Sequence, residues 1–329
     1  MTSSPDRASI YDVAAAAGVS KSAASRALLG QPGVTDVVRE LVQRTAQNLG
    51  YVKDLRAHAL KSASTKTIGI VVRTVRLDFY AELIAEIQTQ LEDSGYRVAF
   101  TGATNNPERA QETLTGLLGL RPEAIIIASG RISMKAIEAV GTQVPTTLIG
   151  PSSTSRIIGS VTDDGAGTVG LAKLVSEAGH RRVGVVTYPR NRSSTLSLRS
   201  QRLRRELARL GISADVIRCD PESDGPDESS LRALTGEVTA IMCPNDPTLV
   251  ATWTLLDKWG ISVPDDVALT GYDGIGQISN ALFGLTTWRQ DLPAMATAAV
   301  TQTLMRLDDP SSPPRHQGVE GRLLRGRTL

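Results

Sequence analysis

A chain of 329 residues, 41% of them apolar and 21% charged, has the composition of a globular protein and the length for two or three domains. It has no apolar run that could cross a bilayer, no export signal at its start and no cysteine spacing typical of a metal site or a disulfide framework. We therefore expect a cytoplasmic protein without membrane contact, metal or cofactor. The net charge of +2 is unevenly distributed along the chain, because the residues up to Thr65 carry eight lysines and arginines against five acidic residues. Such a positive excess is suited to binding phosphate groups.

The first two predicted helices lie before residue 30. Ser9 and Asp12 have the spacing of a capping box, so a helix should begin after Ser9 and stop at Gly18, which tolerates the left-handed conformation. Ser20 is placed to cap a second helix over residues 21–28. Two short helices joined by a glycine-containing turn form the helix-turn-helix pattern.

A third helix is predicted after Thr35 and Asp36, and Gly50 should end it. Three short helices make a module that is too small for catalysis. The apolar positions that we expect to close its small core are Val37, Val38, Leu41, Val42 and Leu49.

The run SIYDVAAAAGVSKSAASRALLG, followed by the third helix, resembles the DNA-binding headpiece of the LacI/GalR family of bacterial transcription regulators. The resemblance implies that Lys21 and Ser22, after the cap of the second helix, read base edges in the major groove. Ala23 and Leu29 depart from the family pattern, and each removes a polar group near the DNA backbone. A solvated surface charge is the alternative for Arg26. The residues implied to contact DNA are Tyr11, Ser20, Lys21, Ser22, Ser25 and Arg26.

Residues 51–65 are polar and alanine-rich, which is typical of a linker. They resemble the hinge helix of the same family, which implies that Leu60 enters the minor groove of DNA, with Ala57 and Lys61 as neighbouring contacts. The alternative is that Leu60 packs against the core. Lys53 and Asp54 depart from the family pattern, and Asp54 places a negative charge near DNA.

From Thr67 onward, short apolar runs alternate with helical segments, which predicts parallel sheets joined by crossover helices. Two sets of runs predict an α/β body of two doubly wound parallel-sheet subdomains, with a ligand cleft at the carboxyl ends of the strands. No catalytic motif is legible in the body. The runs are TIGIVVR, YRVAF, AIIIAS and TTLIG, then RVGVVTY, ADVIRC, TAIMC and DVALTGY.

The resemblance to the LacI/GalR family continues through DFYAELIAEI, VALTGYDG and LTTWRQDLPAMATAAV, which implies a body like that of periplasmic sugar-binding proteins. The chain should cross between the subdomains three times, near Val161, Trp288 and Gln317. The expected organisation is a helix-turn-helix headpiece over 1–50, a hinge over 51–65 and an effector-binding domain over 66–329, with one subdomain at about 66–161 and 290–315 and the other at about 162–289 and 316–329.

The resemblance also implies a set of effector contacts suited to a sugar or another polar metabolite. Alternatives remain for several of them: Asp164 could be only a helix cap, Asn245 only a turn residue, and Arg199 only a surface charge, while Gln290 lies at a crossover. The implied contacts are Phe79, Tyr80, Asp164, Arg199, Asn245, Asp273 and Gln290.

These patterns predict a ligand-responsive transcription regulator rather than an enzyme. We expect a repressor that binds a near-palindromic DNA operator as a homodimer. A solute-binding protein would share the body, but it needs an export signal and has no use for the first 61 residues. An α/β enzyme would need an acid and base pair or a nucleophile in the cleft, and neither is legible in the sequence.

Overall fold

The computed structural model describes residues 8–51, 64–102, 107–220, 223 and 225–329. The chain divides into two compact units, Met1–Thr65 and Lys66–Leu329. In the part of the chain that the structure describes, no helix is both long and apolar enough to cross a membrane.

The described residues of the first unit form three helices, as predicted. Ser9 caps the first helix reciprocally with Asp12: the Ser9 hydroxyl accepts from the Asp12 amide at 3.3 Å, and the Asp12 carboxylate accepts from the Ser9 amide at 2.7 Å. These hydrogen bonds lower the pKa of Asp12. Ser20 and Thr35 cap the other two helices as expected. The helices are α1 (Ile10–Ala16), α2 (Lys21–Leu28) and α3 (Asp36–Asn48).

Small side chains form the core of the first unit, because alanine lets short helices approach closely. Val38 is half-buried and Val42 is fully buried, as predicted, but the prediction for three other residues of the third helical segment is wrong. Val37 is 77% exposed, and Leu41 and Leu49 are also exposed. Val37 and Leu41 lie one position from the inward stripe, which turns them about 100° away from the core. The core residues are Val13, Ala14, Ala17, Ala24, Ala27, Val42 and Ala46.

The described residues of the second unit form two six-stranded sheets, and helices connect most pairs of successive strands. The first sheet has the order β11-β5-β4-β3-β1-β2, and the second β12-β10-β9-β8-β6-β7. The strands are β1 (Thr67–Val72), β2 (Arg97–Gly102), β3 (Ala124–Ala128), β4 (Thr146–Ile149), β5 (Gly159–Asp163), β6 (Arg182–Thr187), β7 (Ser213–Arg218), β8 (Ala240–Met242), β9 (Ala268–Asp273), β10 (Thr287–Arg289), β11 (His316–Val319) and β12 (Arg322–Leu324).

Helices cover the sheets, which explains why β1, β3 and β4 read as continuous apolar or buried runs. The pairings are parallel except for β10 with β12. The helices of the second unit are α4 (Asp78–Leu91), α5 (Pro107–Gly119), α6 (Met134–Gly141), α7 (Ala166–Glu177), α8 (Ser194–Arg209), α9 (Glu228–Arg232), α10 (Asp246–Lys258) and α11 (Leu292–Asp308), with 3-10 turns at Glu92–Ser94 and Gln277–Ser279.

The fold confirms the predicted α/β body, and all eight predicted apolar runs are strands. Two of the expected crossover positions are displaced. β5 stays in the first sheet to Asp163, so the first crossing follows Asp163, two residues after the predicted position near Val161. β11 pairs with β5 in the first sheet, so the last crossing lies between Val319 and Arg322 rather than near Gln317.

Gly167 on α7 tests the packing of the second subdomain. A Cβ at this position would overlap the Tyr272 hydroxyl and the Trp288 indole, which are rigid neighbours. We therefore expect Gly167→Ala to lower the free energy of unfolding by about 1–3 kcal/mol through overpacking. Urea denaturation followed by circular dichroism measures this change.

Gly116 provides the matched control, because it is an exposed residue inside α5 with open space where a Cβ would stand. Gly116→Ala should leave the protein as stable or raise its stability by up to about 1 kcal/mol, since alanine favours the helix. Equal effects of the two substitutions would contradict the packing described for α7.

Candidate functional site

A cavity of about 360 Å³ lies between the two subdomains of the second unit. It opens where the strands of both sheets end, which is where parallel α/β sheets bind ligands. Its polar and aromatic lining includes Arg73, Asp78, Phe79, Tyr80, Asp163, Ser193, Thr195, Arg199, Asn245, Asp246, Asp273 and Gln290.

Six of the seven predicted effector contacts line this cavity, and Asp164 does not. Asp164 is exposed, and its carboxylate accepts a hydrogen bond from the Ala166 amide at 2.9 Å in the turn before α7. The structure thus places Asp164 outside the cavity lining, and its neighbour Asp163 lies in that lining instead. Side chains alternate along a strand, so the last residue of β5 faces the cleft and the next residue does not.

Arg199 is the centre of the polar floor of the cavity. It projects from α8, is 5% exposed, and its Nη1 donates to the Pro244 carbonyl at 2.7 Å and to Asp273 Oδ1 at 3.0 Å. Its Nη2 donates to Asp163 Oδ2 at 3.1 Å, and the guanidinium lies 3.7 Å from the ring centre of Tyr272. These contacts exclude the alternative that Arg199 is a surface charge.

The charges of this floor stabilise one another. Burial by itself would lower the pKa of Arg199, but Asp273 and Asp163 raise it above its ordinary value, so the guanidinium stays charged. Burial raises the pKa of Asp273, and Arg199 opposes that rise. Gln290 also supports the carboxylate, because its Nε2 donates to Asp273 Oδ1 at 2.7 Å.

Asp246 is a buried acid in the cavity lining that was not among the implied effector contacts. It accepts from the Thr287 hydroxyl at 2.6 Å and from the Gly274 amide at 2.7 Å. Burial, and then the nearby charge of Asp273, raise its pKa to about 7. Asn245 precedes it as the cap of α10, and its Oδ1 accepts from the Thr248 amide at 3.0 Å. Asn245 is therefore a helix cap rather than only the turn residue of the alternative, and it also lines the cavity.

Two aromatic side chains form an apolar wall at the start of α4. The rings of Phe79 and Tyr80 meet edge to face, with their centres 5.1 Å apart. Burial raises the pKa of Tyr80 to about 12, so its hydroxyl remains protonated at neutral pH. This wall suits the flat face of a ring.

The two subdomains touch directly beside the cavity. The amide and hydroxyl of Ser194, at the start of α8, both donate to the carbonyl of Gly130, at 2.9 and 3.0 Å. We call this contact the Gly130–Ser194 bridge. On the other flank, the Gly276 amide donates to Glu82 Oε1 on α4 at 3.0 Å.

In the first unit, α2 presents the predicted base-reading residues to solvent. Lys21 and Ser22 are both exposed. The Lys21 ammonium donates to the Tyr11 hydroxyl at 2.6 Å and lies 4.2 Å from the centre of the Tyr11 ring. The Ser20 hydroxyl caps α2 by accepting from the Ala23 amide at 3.1 Å. Ser20 therefore acts within the helix, while Tyr11, Lys21 and Ser22 form a polar surface.

Ser25 and Arg26 are half-buried on α2. The Arg26 side chain lies along Gly33, with its Nε 3.7 Å from where a Gly33 Cβ would stand. That nitrogen is buried and makes no hydrogen bond within the described residues. Contact of these residues with DNA stays a prediction, and the predicted hinge contacts Ala57, Leu60 and Lys61 lie outside the described residues.

Family comparisons match both parts of the chain. Residues 9–54 match the model described as bacterial regulatory proteins, lacI family, and residues 172–329 match the periplasmic binding protein-like domain.

Curated relatives match nearly the whole chain. The ribose operon repressor of Haemophilus influenzae is 24% identical over 310 residues, which cover 92% of this chain and 93% of the relative. The PurR repressor of Haemophilus influenzae is 27% identical, with 91% of each protein covered. The regulator GalR of Escherichia coli is 26% identical and covers 92% of this chain and 90% of its own.

Solved structures share the fold. A lac repressor dimer bound to operator and the anti-inducer ONPF matches with a TM-score of 0.82 at 22% identity, covering 98% of this chain and 99% of the other. A LacI family regulator from Enterococcus faecium with bound ribose matches with a TM-score of 0.67 at 19% identity, covering 80% and 98%.

Arg199→Met tests the polar floor. The substitution leaves Asp163 and Asp273 buried without their counter-ion, so we expect a loss of about 3–5 kcal/mol in the free energy of unfolding. Urea denaturation measures it. Arg209→Met on the same helix is the matched control, because Arg209 is exposed and pairs with Glu206, and it should cost less than about 1 kcal/mol. Adding Asp273→Asn to Arg199→Met should restore part of the stability, and a cost equal to that of Arg209→Met would refute the buried ion pairs.

Proposed function

The chain belongs to the LacI/GalR family of bacterial transcriptional regulators, and from this premise we propose that it is a repressor that binds a near-palindromic operator as a homodimer and senses a small polar metabolite such as a sugar. The observation that carries the proposal is the pairing, in one chain, of a capped helix with exposed Lys21 and Ser22 and a cleft whose polar groups converge on Arg199. The relatives are named repressors and regulators, which supports a regulator rather than an enzyme or a solute-binding protein.

DNA reading in this proposal begins at α2. The Lys21 ammonium donates to guanine acceptors in the major groove, and Ser22 donates or accepts at a neighbouring base edge. Tyr11 holds Lys21 at the front of the helix, because the two side chains are in direct contact. Ser25 and Arg26 contribute contacts to the DNA backbone, which position the helix without reading sequence.

A homodimer would place two copies of α2 in successive turns of the major groove, so its operator should be nearly symmetric. In this scheme Leu60 of each copy enters the minor groove at the centre, with Ala57 and Lys61 beside it, as the family resemblance implies. The solved lac repressor, described as a dimer bound to operator, supports the same assembly.

The effector in this proposal occupies the cavity of about 360 Å³, a volume within the usual range for small-ligand sites. Arg199 orients Asp163 and Asp273, whose remaining oxygen lone pairs accept hydrogen bonds from ligand hydroxyls. Phe79 and Tyr80 offer a face for a ring. The relative with bound ribose and the relative named a ribose operon repressor favour the sugar class.

Lys21→Ala tests whether α2 reads the base sequence of DNA. We expect the full-length protein to select imperfect two-fold palindromes from a random duplex library, and Lys21→Ala to bind them about 10-fold or more weakly while its affinity for random duplex changes less. Fluorescence anisotropy at one fixed low salt concentration measures both affinities, since binding depends steeply on salt.

The control for this experiment is Lys173→Ala, which removes an exposed lysine that pairs with Glu177 on α7 and should leave DNA binding unchanged. Binding of the selected palindrome no more tightly than random duplex would refute the proposed function. An unchanged specificity ratio in Lys21→Ala would refute the assignment of Lys21.

Phe79→Ala tests the effector cleft. A thermal-shift screen of sugars, nucleosides and small acids should find a polar ligand that raises the melting temperature, because a ligand of the folded state stabilises it by mass action. Phe79→Ala should lower the affinity for that ligand about 5-fold or more, because the ligand loses stacking against the Phe79 ring. Phe100→Ala, at an exposed position on β2, is the matched control and should bind normally. Equal binding by both variants would place the ligand elsewhere.

A further inference from the structure

A second and larger cavity, of about 760 Å³, lies on the other side of the Gly130–Ser194 bridge. Ser129 and Gly130 line both cavities, while Ser194 lines only the second. The first turns of α8 therefore separate two chambers of the same interdomain cleft. The proposed function uses only the first chamber.

The second chamber has an excess of hydrogen-bond donors and positive charge. Arg131 and Arg190 line it, together with amide side chains, and none of the described residues in its lining is acidic. Arg131 is held at the wall by its Nε, which donates to the Arg192 carbonyl at 3.4 Å. Arg190 forms no ion pair or hydrogen bond within the described part of the chain. The amide side chains are those of Gln111, Asn191 and Gln201.

Two buried hydroxyl groups in the same lining have donor hydrogens to spare. Ser129 is 2% exposed, and its oxygen accepts from the Arg131 amide at 3.3 Å. Ser197 is 6% exposed, and its oxygen accepts from Gln201 Nε2 at 3.2 Å. Neither hydroxyl donates to an acceptor among the described residues. A buried hydroxyl without an acceptor is costly, so a ligand that brings acceptor atoms would relieve that cost.

The two chambers differ in charge. Acidic and basic side chains are mixed in the first lining, whereas the described residues that line the second include arginines and no acidic residue. We propose that the second chamber is a separate binding site for a small organic anion that carries a phosphate or carboxylate group. Guanidinium groups and hydroxyl donors are the partners that such anions take in proteins. The volume is that of a metabolite site.

An anion in this chamber would act on the contact between the subdomains. Ser194 donates both of its hydrogens to Gly130 and lines the chamber, and Arg131 follows Gly130 directly. Arg131 belongs to the first subdomain and Arg190 to the second, so one anion that contacts both side chains favours the closed cleft. The site would therefore be a second regulatory input, independent of the ligand in the first chamber.

Isothermal titration of the full chain with glucose 6-phosphate, citrate and inorganic phosphate tests the proposal, with glucose as the neutral comparison. We expect at least one organic anion to bind and glucose to leave this site empty. Arg190→Gln should lower the affinity for the anion at least 10-fold, and Ser197→Ala should lower it several-fold, since each substitution removes a hydrogen-bond donor. Binding of inorganic phosphate alone would show an isolated phosphate contact and would overturn an organic-anion site.

Arg204→Gln is the matched control, because Arg204 is an exposed arginine on α8 outside the chamber lining, and it should bind the anion as the unmodified chain does. Phe79→Ala should also bind it normally. Loss of anion binding in Phe79→Ala but not in Arg190→Gln would place the anion in the first chamber and overturn the proposal. Failure of all three anions to bind would overturn it as well. The DNA-binding experiment with Lys21→Ala is separate. The outcome of the anion titration therefore neither supports nor refutes the proposed function.

Discussion

The body of this protein depends on one buried arginine. Arg199 reaches from α8 to Asp163, which ends a strand of the first sheet, and to Asp273, which ends a strand of the second sheet. One guanidinium thus joins both subdomains at the floor of the cleft. A buried ion of this kind is stable only when its partners are in place, so the ion pairs fix the relative position of the two strand ends.

The same floor is held in place by hydrogen bonds within the protein. Asp246 occupies the space that a side chain at residue 271 would fill, and only Gly271 leaves that space open. Thr287 and Gly274 donate to its two oxygens, so the carboxyl group is held from β10 and from the turn after β9. Because the polar groups are already oriented, a ligand need not organise them on binding, and less of its interaction energy is lost to ordering.

Much of the fold could be predicted from local sequence signals. Ser9, Ser20 and Thr35 mark helix starts by their side-chain chemistry, and the long apolar runs mark the inner strands. β5, β10, β11 and β12 were not among the predicted runs, because these strands are defined by the partners that they pair with rather than by a long apolar run. The displaced crossovers follow from these missing strands.

The sequence predicted which types of residue line the candidate site. It was less reliable about which of two neighbouring residues on a strand faces the cavity. Six of the implied contacts line the cavity, whereas Asp164 lies outside the lining and Asp163 lies in it, because a shift of one position turns a strand side chain to the opposite face. Asp246 was overlooked because an acid after Asn245 and before a proline also fits an ordinary helix start. Only the tertiary structure shows that it is buried against Thr287 and Gly274.

The Gly130–Ser194 bridge is one of the contacts between the subdomains that a ligand can reinforce or oppose. A Cβ at Gly130 would lie 2.9 Å from the Thr195 hydroxyl and 3.2 Å from the Ser193 hydroxyl, so the close approach of the subdomains requires glycine there. Two hydrogen bonds of ordinary strength contribute about 1–3 kcal/mol to closure. A ligand present at about 100 times its dissociation constant stabilises the state that it binds by about 2.7 kcal/mol. Because these energies are comparable, a ligand in either chamber can outweigh or reinforce the bridge, which is the condition for a regulator whose conformations shift with metabolite concentration.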